Sequence, residues 1–181
     1  MDAETKSSSP RWIIPLIATL CLLLDSTSKE WARNQLIAGD PYPFIPGLIR
    51  FFLTHNTGAA FSLGAGNSYL MTALASVVTL ALVAWMWKRE AGLVSNVERV
   101  GLGFLFGGAC GNLFDRFSQG QVTDFIEFTF INFPVFNCAD VFIDIGIGLI
   151  LISMMAENSA RDKESAESPL PPESNAQHDH G

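Results

Sequence analysis

Five aspartates in this sequence are candidates for chemistry because each lies within or beside an apolar stretch. They are Asp25, Asp115, Asp124, Asp140 and Asp144. A carboxylate at membrane depth is costly in free energy, so ionisable residues in such places are functional candidates by default. All but Asp144 also have polar neighbours in the chain, which would help to hold a reactive carboxylate in place.

Two such aspartates from separate segments, brought together, would form an acid–base pair. Like charges a few ångströms apart cannot both ionise easily, so one pKa rises and the pair shares a proton. The ionised member can take a proton from water, and the neutral member can hydrogen-bond a carbonyl oxygen. Such a pair hydrolyses a peptide bond without a metal or a covalent intermediate. The structural alternative also stays open: aspartates that cap helices, or an aspartate paired with Arg116.

Other chemistries have less support in the sequence. His55 is the only histidine outside residues 157–181, so a Ser-His-Asp triad or a histidine-ligated metal would depend on it. The three cysteines, Cys21, Cys110 and Cys138, are far apart and form no CxxC pair. We therefore expect neither a metal nor a cofactor.

The hydropathy pattern predicts an α-helical membrane protein. Only 16% of the 181 residues are charged, and residues 51–87 contain no Asp, Glu, Lys or Arg. That stretch is longer than the ~20 apolar residues that cross a bilayer. We predict four transmembrane helices, in the apolar runs Trp12–Leu24 (continuing to about Trp31), Tyr69–Trp87, Val100–Phe114 and Val141–Ala156.

Other segments of the chain are assigned from their turns and charges. Residues 40–68 are rich in Pro, Gly and Asn, which predicts short strands or an extended layer, a small β-rich or turn-rich segment outside the cytoplasm. Residues 90–99 should form a short polar loop. The domain organisation is then a leader at 1–11, a four-helix membrane domain at 12–156 and a disordered acidic tail at 157–181.

The basic residues predict the orientation of the bundle. The terminal segments and the 88–99 loop carry Lys6, Arg11, Lys88, Arg89, Arg99, Arg161 and Lys163, against Lys29, Arg33, Arg50 and Arg116 on the other side. Because cytoplasmic loops are enriched in Lys and Arg, both termini should be cytoplasmic. The net charge of −7 and the lack of a basic patch argue against nucleic acid as a partner.

In its motifs the sequence resembles the signal peptidase II family, the lipoprotein signal peptidases of bacteria, over roughly residues 12–156. The blocks that carry the resemblance, in order, are Asp25-Ser-Thr-Ser-Lys29, Asn56-Thr-Gly-Ala-Ala-Phe-Ser62, Gly107-Gly-Ala-Cys-Gly-Asn-Leu-Phe-Asp-Arg116, Gly120-Gln-Val-Thr-Asp-Phe125 and Phe136-Asn-Cys-Ala-Asp140. One block alone would be weak, but all of them in order on a four-helix profile are highly specific.

This resemblance implies an aspartic endopeptidase of the bacterial inner membrane that is inhibited by the cyclic peptide globomycin. Its partners would be membrane lipids and the signal peptides of diacylated prolipoproteins, which it would cut just before the lipidated Cys. We expect a monomer with its active site near the outer face. Matched by motif, the catalytic pair is Asp124 and Asp140; the substrate-binding residues are Asn56, Asn112, Arg116 and Asn137; the supporting residues are Asp25, Lys29, Gly58 and Asp115.

Two residues depart from the family pattern. Cys138 replaces the usual aliphatic residue, and Asp144 adds a carboxylate four residues after Asp140, on the same helical face. Asp144 is either a spectator or a group that raises the pKa of Asp140.

Two functions from other classes remain open on the residues alone. A small membrane transporter or channel would use the carboxylates at the rim of the bundle to pass ions, and would place them along a continuous pore. A membrane scaffold would use them only structurally.

Overall fold

The computed structural model describes residues 12–58, 68–89 and 95–167. In these residues it contains the elements α1 (Ile13–Gln35), β1 (Tyr42–Ile45), β2 (Ile49–Asn56), α2 (Ser68–Arg89), α3 (Asn96–Gln119), β3 (Val122–Phe128) and α4 (Cys138–Glu167). Four parts of the sequence predictions lie outside the described residues: the leader at 1–11, residues 59–67 of the turn-rich segment with the end of the second motif block, residues 90–94 of the polar loop, and residues 168–181 of the tail.

Helices cover the four predicted apolar runs except for Trp12, which immediately precedes α1, and each helix is longer than its run. The helix α3 begins early because Ser95 caps it: the Ser95 hydroxyl accepts the backbone N–H of Glu98 at 3.1 Å. Residues 96–99, which we assigned to the polar loop, are therefore the first turn of α3. The helix ends at Gly120, which adopts the left-handed conformation with φ +71°.

The helix α4 continues to Glu167, so the prediction of a disordered tail beginning at 157 was wrong for residues 157–167. That prediction was made from the polar composition of residues 157–181. A helix that is already formed adds residues at little cost, because only its nucleation is expensive. The extension also holds an ion pair between Glu157 and Arg161, one turn apart, with Oε1 and Nη2 separated by 3.6 Å.

Two helices of the described residues are long and apolar enough to cross a bilayer on their own. They contain the segments Ser68–Met86 and Cys138–Lys163, with mean hydropathies of 1.9 and 2.0. Only 6% and 11% of these segments is buried inside the protein, so most of their apolar side chains face outward. By contrast, α1 and α3 contain buried charged residues, among them Lys29 and Glu98.

The three strands form one antiparallel sheet in the order β1-β2-β3. The two strands β1 and β2 confirm the short strands predicted for the turn-rich segment in its described part, residues 40–58, whereas β3 was not predicted. Its first four residues are all buried, so it lacks the alternation of apolar and polar residues that marks a half-exposed strand. The sheet packs on the end of α1, where the Trp31 ring lies 5.1 Å from Phe51 and 6.2 Å from Phe125.

Glycines of α3 allow α1 and α4 to approach it closely. A Cβ added at Gly107 would lie 2.7 Å from Cys21 Cβ of α1. A Cβ added at Gly108 would lie 2.5 Å from the carbonyl oxygen of Ala139 in α4. The backbones of α1, α3 and α4 are therefore in contact at these glycines. Asn112 lies about one turn further along α3.

Candidate active site

Polar side chains from four elements converge between the sheet, the C-terminal half of α3 and the start of α4. Asn56 ends β2, Asp124 lies within β3, Asn112 belongs to α3, and Asn137 and Asp140 stand at the start of α4. Apart from Asn137 and Asp140 they are well separated in the sequence, and the fold links all five through hydrogen bonds.

Asp124 is held by two amide groups. Its side chain is buried, and its residue is only 3% exposed. Asn137 Nδ2 donates to Oδ1 at 2.6 Å, and Asn56 Nδ2 donates to Oδ2 at 3.2 Å. The strand register explains the second bond, because Asp124 pairs with Thr54 and Val122 pairs with Asn56.

The pKa of Asp124 is raised to about 6. Burial is the main cause, because it disfavours the charged carboxylate, and the negative charge of Asp140 adds to it. The hydrogen bonds from Asn137 and Asn56 act in the opposite direction. The charge of Asp140 therefore affects the pKa of Asp124, as expected for two carboxylates that share a site.

Asp140 is positioned by the start of its own helix. Its Oδ2 accepts the backbone N–H of Asn137 at 3.1 Å, and Asn137 Oδ1 accepts the backbone N–H of Asp140 at 3.1 Å. This is a reciprocal capping arrangement, in which two helix-terminal N–H groups are satisfied by the two side chains. The remaining oxygen, Oδ1, accepts Asn112 Nδ2 at 2.8 Å.

A chain of two amides links the two carboxylates. Asn112 Oδ1 accepts both Lys29 Nζ, at 2.9 Å, and Asn137 Nδ2, at 3.2 Å. Because an ammonium group can only donate, it fixes which end of the Asn112 amide is oxygen, and the NH₂ end must face Asp140. Asn137 is fixed in turn, with its NH₂ group shared between Asn112 and Asp124.

The supporting residues from the first motif block, Asp25 and Lys29, meet this pair of amides through the bond from Lys29 to Asn112. Lys29 is fully buried, and its Nζ lies 2.8 Å from Asp25 Oδ2 and 3.5 Å from Asp115 Oδ2. A buried charge requires such partners, because an unpaired one would be strongly destabilising. Asp25 Oδ1 also accepts the backbone N–H of Ala139 at 2.9 Å, which ties α1 to the start of α4.

One structural alternative from the sequence was an aspartate paired with Arg116. Asp115 does not form that pair. Besides Lys29, its partners are Arg33, with Nη1 at 3.2 Å from Oδ1, and the backbone N–H of Thr123, at 2.9 Å from Oδ2. Arg33 and Thr123 were missed in the sequence. A signal existed for Arg33, because it follows Asp25 and Lys29 at intervals of four residues and so shares their helical face.

Arg116 instead donates to carbonyl oxygens. Its Nη2 donates to Gly58 O at 3.2 Å, and its Nη1 donates to Asn112 O at 3.3 Å, as their spacing of four on one helical face allows. The N–H of Gly58 donates to Asn56 Oδ1 at 2.9 Å, which orients that amide towards Asp124. Gly58 therefore connects the guanidinium group to the polar cluster.

A cavity of about 460 Å³ opens beside these groups. Its polar lining consists of Asn56, Asn112, Arg116, Asp124, Asp140 and Asp144. The rest is apolar, with Phe128 from β3, residues 133–136 and the face of α4 that carries Val141 and Ile145. An extended, largely apolar peptide would fit such a cavity with a backbone amide against the two carboxylates.

Cys138, which departs from the family pattern, can also be placed. Cys138 is half-buried, and its Sγ accepts the Ser28 hydroxyl at 3.3 Å. No group of three or more His, Cys, Asp or Glu side chains within residues 12–58, 68–89 and 95–167 is arranged to hold a metal ion.

Comparison with known proteins agrees with the motif pattern. The family model described as signal peptidase (SPase) II matches residues 17–156. A protein named lipoprotein signal peptidase from Gloeobacter violaceus is 40% identical over 144 residues, which cover 80% of this chain and 82% of that protein. One of the same name from Microcystis aeruginosa is 41% identical, covering 82% of this chain and 95% of its own.

Solved structures show the same fold. One, described as a bacterial membrane enzyme, superposes with a TM-score of 0.73 at 28% identity, covering 86% of this chain and 93% of that one. A second with that description gives a TM-score of 0.67 at 30% identity. The chain therefore belongs to the signal peptidase II family, a family of aspartic peptidases.

Proposed function

We propose that this protein removes the signal peptide from prolipoproteins whose Cys already carries a diacylglyceryl group, and that it cuts just before that Cys. Asp124 and Asp140 would be the catalytic pair. The observation that carries the proposal is that both carboxylates line one cavity and that a single residue, Asn137, donates a hydrogen bond to each of them.

In the proposed reaction the pair holds one proton between two carboxyl groups. The ionised carboxylate removes a proton from a water molecule, whose oxygen forms a bond to the scissile carbonyl carbon. The protonated carboxyl group donates its proton to the carbonyl oxygen. When the tetrahedral intermediate collapses, the C–N bond breaks and the nitrogen takes up the proton that came from water. One hydroxyl of the intermediate returns its proton to the carboxylate that had donated to the carbonyl oxygen, so a carboxylic acid forms and the pair again holds one proton. No step needs a metal ion or an acyl-enzyme.

The neighbouring residues have distinct roles in this proposal. Asn112 and Asn137 hold the carboxylates in orientation, so that each keeps a lone pair free for water. Asn56 and Arg116 lie on the cavity wall and supply N–H donors for the carbonyl oxygens of a bound peptide. Every one of these groups belongs to one chain, which supports a monomer as the active unit.

The helices α1 and α3 would join α2 and α4 as transmembrane spans, with both termini in the cytoplasm. The excess of Lys and Arg on the terminal side supports this orientation. The two aspartates then lie near the outer face of the inner membrane. A diacylglyceryl chain must stay in the lipid, so the adjacent peptide bond lies at that depth and meets the two carboxylates there.

The test is an assay of the purified protein on a prolipoprotein with and without the diacylglyceryl group. We expect mass spectrometry to show cleavage just before the modified Cys, with the unmodified precursor left largely intact. EDTA should leave the rate unchanged. Equal cleavage of the unmodified precursor would contradict the proposed substrate, and loss of activity in EDTA would contradict the mechanism.

A further inference from the structure

One carboxylate in the cavity has no partner among the residues that the structure describes. Asp144 is exposed and lines the cavity, and it makes no hydrogen bond or ion pair with any residue of the described ranges. Asp124 and Asp140, in the same cavity, are each held by two donors. Asp144 is therefore the lining carboxylate whose oxygens remain available to a bound molecule.

The surroundings of Asp144 make a carboxylate without a hydrogen-bond donor costly in free energy once a peptide fills the cavity. It lies in the apolar segment Cys138–Lys163, and its neighbours on the cavity wall are Val141 and Ile145. A peptide that enters the cavity displaces water from this wall. The carboxylate then needs a replacement donor, because a buried charge without a hydrogen bond is strongly disfavoured.

The helix geometry fixes where that donor would lie on a substrate. Asp144 follows Asp140 by four residues, which is one turn on the same face and about 6 Å along the helix axis. An extended peptide advances about 3.3 Å per residue. The position beside Asp144 is therefore about two residues from the peptide bond held at Asp140. Since α4 runs from the cavity into the apolar layer, those residues belong to the membrane-embedded signal peptide.

The membrane also restricts the kind of donor. A lysine or arginine in that part of a signal peptide would have to enter an apolar layer, which costs several kcal/mol per residue. A serine or threonine hydroxyl is a small neutral donor that such a segment can carry. We propose that Asp144 is a specificity-determining residue that accepts a hydrogen bond from a serine or threonine hydroxyl about two residues before the cleaved bond. This inference rests on the function proposed above.

The test measures kcat/KM for two sets of diacylated prolipoproteins, which carry serine or alanine at successive positions before the cut. For the unaltered protein we expect a preference for serine at one position about two residues before the cut. Asp144→Leu should reduce that serine-to-alanine ratio about tenfold, as expected for the loss of a hydrogen bond to a charged group. Asp144→Asn keeps an acceptor oxygen and should retain part of the preference.

The matched control is Asp162→Leu, the same substitution on the same helix at an exposed position away from the cavity. It should leave the ratio unchanged. A ratio that is the same in Asp144→Leu as in the unaltered protein, or no serine preference at any position, would overturn the inference. Cleavage of the alanine substrates by the unaltered protein tests the proposed function separately, since its absence would refute that function itself.

Discussion

At the scale of single residues, the side-chain amides organise the proposed catalytic pair, Asp124 and Asp140. Each amide both donates and accepts, so the orientation that Lys29 imposes on Asn112 is passed on to Asn137. As a result both carboxylates receive NH₂ groups, and neither faces an amide oxygen. A hydroxyl or a carboxylate at position 112 could not transmit that direction, because a hydroxyl can rotate and an ionised carboxylate cannot donate.

The raised pKa of Asp124 predicts how stability depends on pH. The ordinary pKa is 3.8, and burial together with Asp140 raises it to about 6. Between about pH 4 and pH 6 the folded protein keeps a proton that the unfolded chain has released. Stability from this group is therefore fully present below pH 4 and is lost as the pH rises through 6, by about 3 kcal/mol.

Asp124→Asn removes the ionisation, so it should remove this loss of stability. Thermal unfolding in detergent should show the Tm of the variant rising, relative to that of the unaltered protein, by several degrees between pH 4.5 and pH 7.5. Asp162→Asn, at an exposed site, should show no such trend. A constant difference in Tm across this range would mean that the pKa of Asp124 is not raised.

At the scale of elements, the start of α4 carries much of the site. Its first N–H groups are taken by Asn137, Asp140 and Asp25, so the capping of the helix and the placement of a proposed catalytic group are one arrangement. The position of this helix relative to α3 then sets the bond between Asn112 and Asp140. Close packing at the glycines of α3 is what allows that bond.

Gly108→Ala should therefore lower both stability and activity. Its new Cβ would meet the Ala139 carbonyl and the Ile143 side chain, at 2.5 Å and 2.9 Å, and would push α4 away from α3. Overpacking of this kind costs about 1–3 kcal/mol. We expect a lower Tm and a reduced kcat in the cleavage assay.

Gly148 provides the matched control, since a Cβ added there meets nothing within 4 Å. Gly148→Ala should leave kcat unchanged and raise stability slightly, because alanine favours a helix over glycine by about 1 kcal/mol. If both alanine variants behave alike, the close contact at Gly108 does not position the site.

The sequence predicted the elements unequally, for physical reasons. The four helical runs and the strands of residues 40–68 follow from local apolar content and turn residues. The strand β3 was missed because burial on both faces removes the alternation that reveals a strand. The ends of α3 and α4 were misplaced because caps and helix propagation extend a helix beyond its apolar part.

The motif resemblance named more residues of the candidate site than physical reasoning from spacing and hydropathy did. The family resemblance supplied Asp124, Asp140 and the four polar residues. The fold brings five of these six to one cavity, and the sixth, Asn137, is buried beside it and hydrogen-bonded to both carboxylates. Spacing alone could not pair Asp124 with Asn137, or Asp115 with Arg33, because those contacts depend on how β3 and α1 pack. The apolar wall of the cavity, with Phe128 and Phe136, carries no sequence signal that separates it from ordinary core.

At the scale of the whole molecule, the proposed function requires one orientation of the protein in the membrane. With both termini cytoplasmic, a reporter that is active only in the cytoplasm should work when fused after Gly181. The same reporter fused after Thr129, in the exposed segment between β3 and α4, should be inactive. Activity in both fusions, or only in the second, would contradict the four-span arrangement and the outer position of the site.

The central claim is that Asp124 and Asp140 together activate one water molecule at the outer end of the bundle. The most direct measurement is the cleavage rate of a diacylated prolipoprotein by Asp124→Asn and by Asp140→Asn, with folding checked by thermal unfolding of the same samples. We predict that each variant remains folded and loses at least about a hundredfold in kcat, as expected when a general acid or base is removed. A folded variant of either residue that cleaves at nearly the rate of the unaltered protein would contradict the claim.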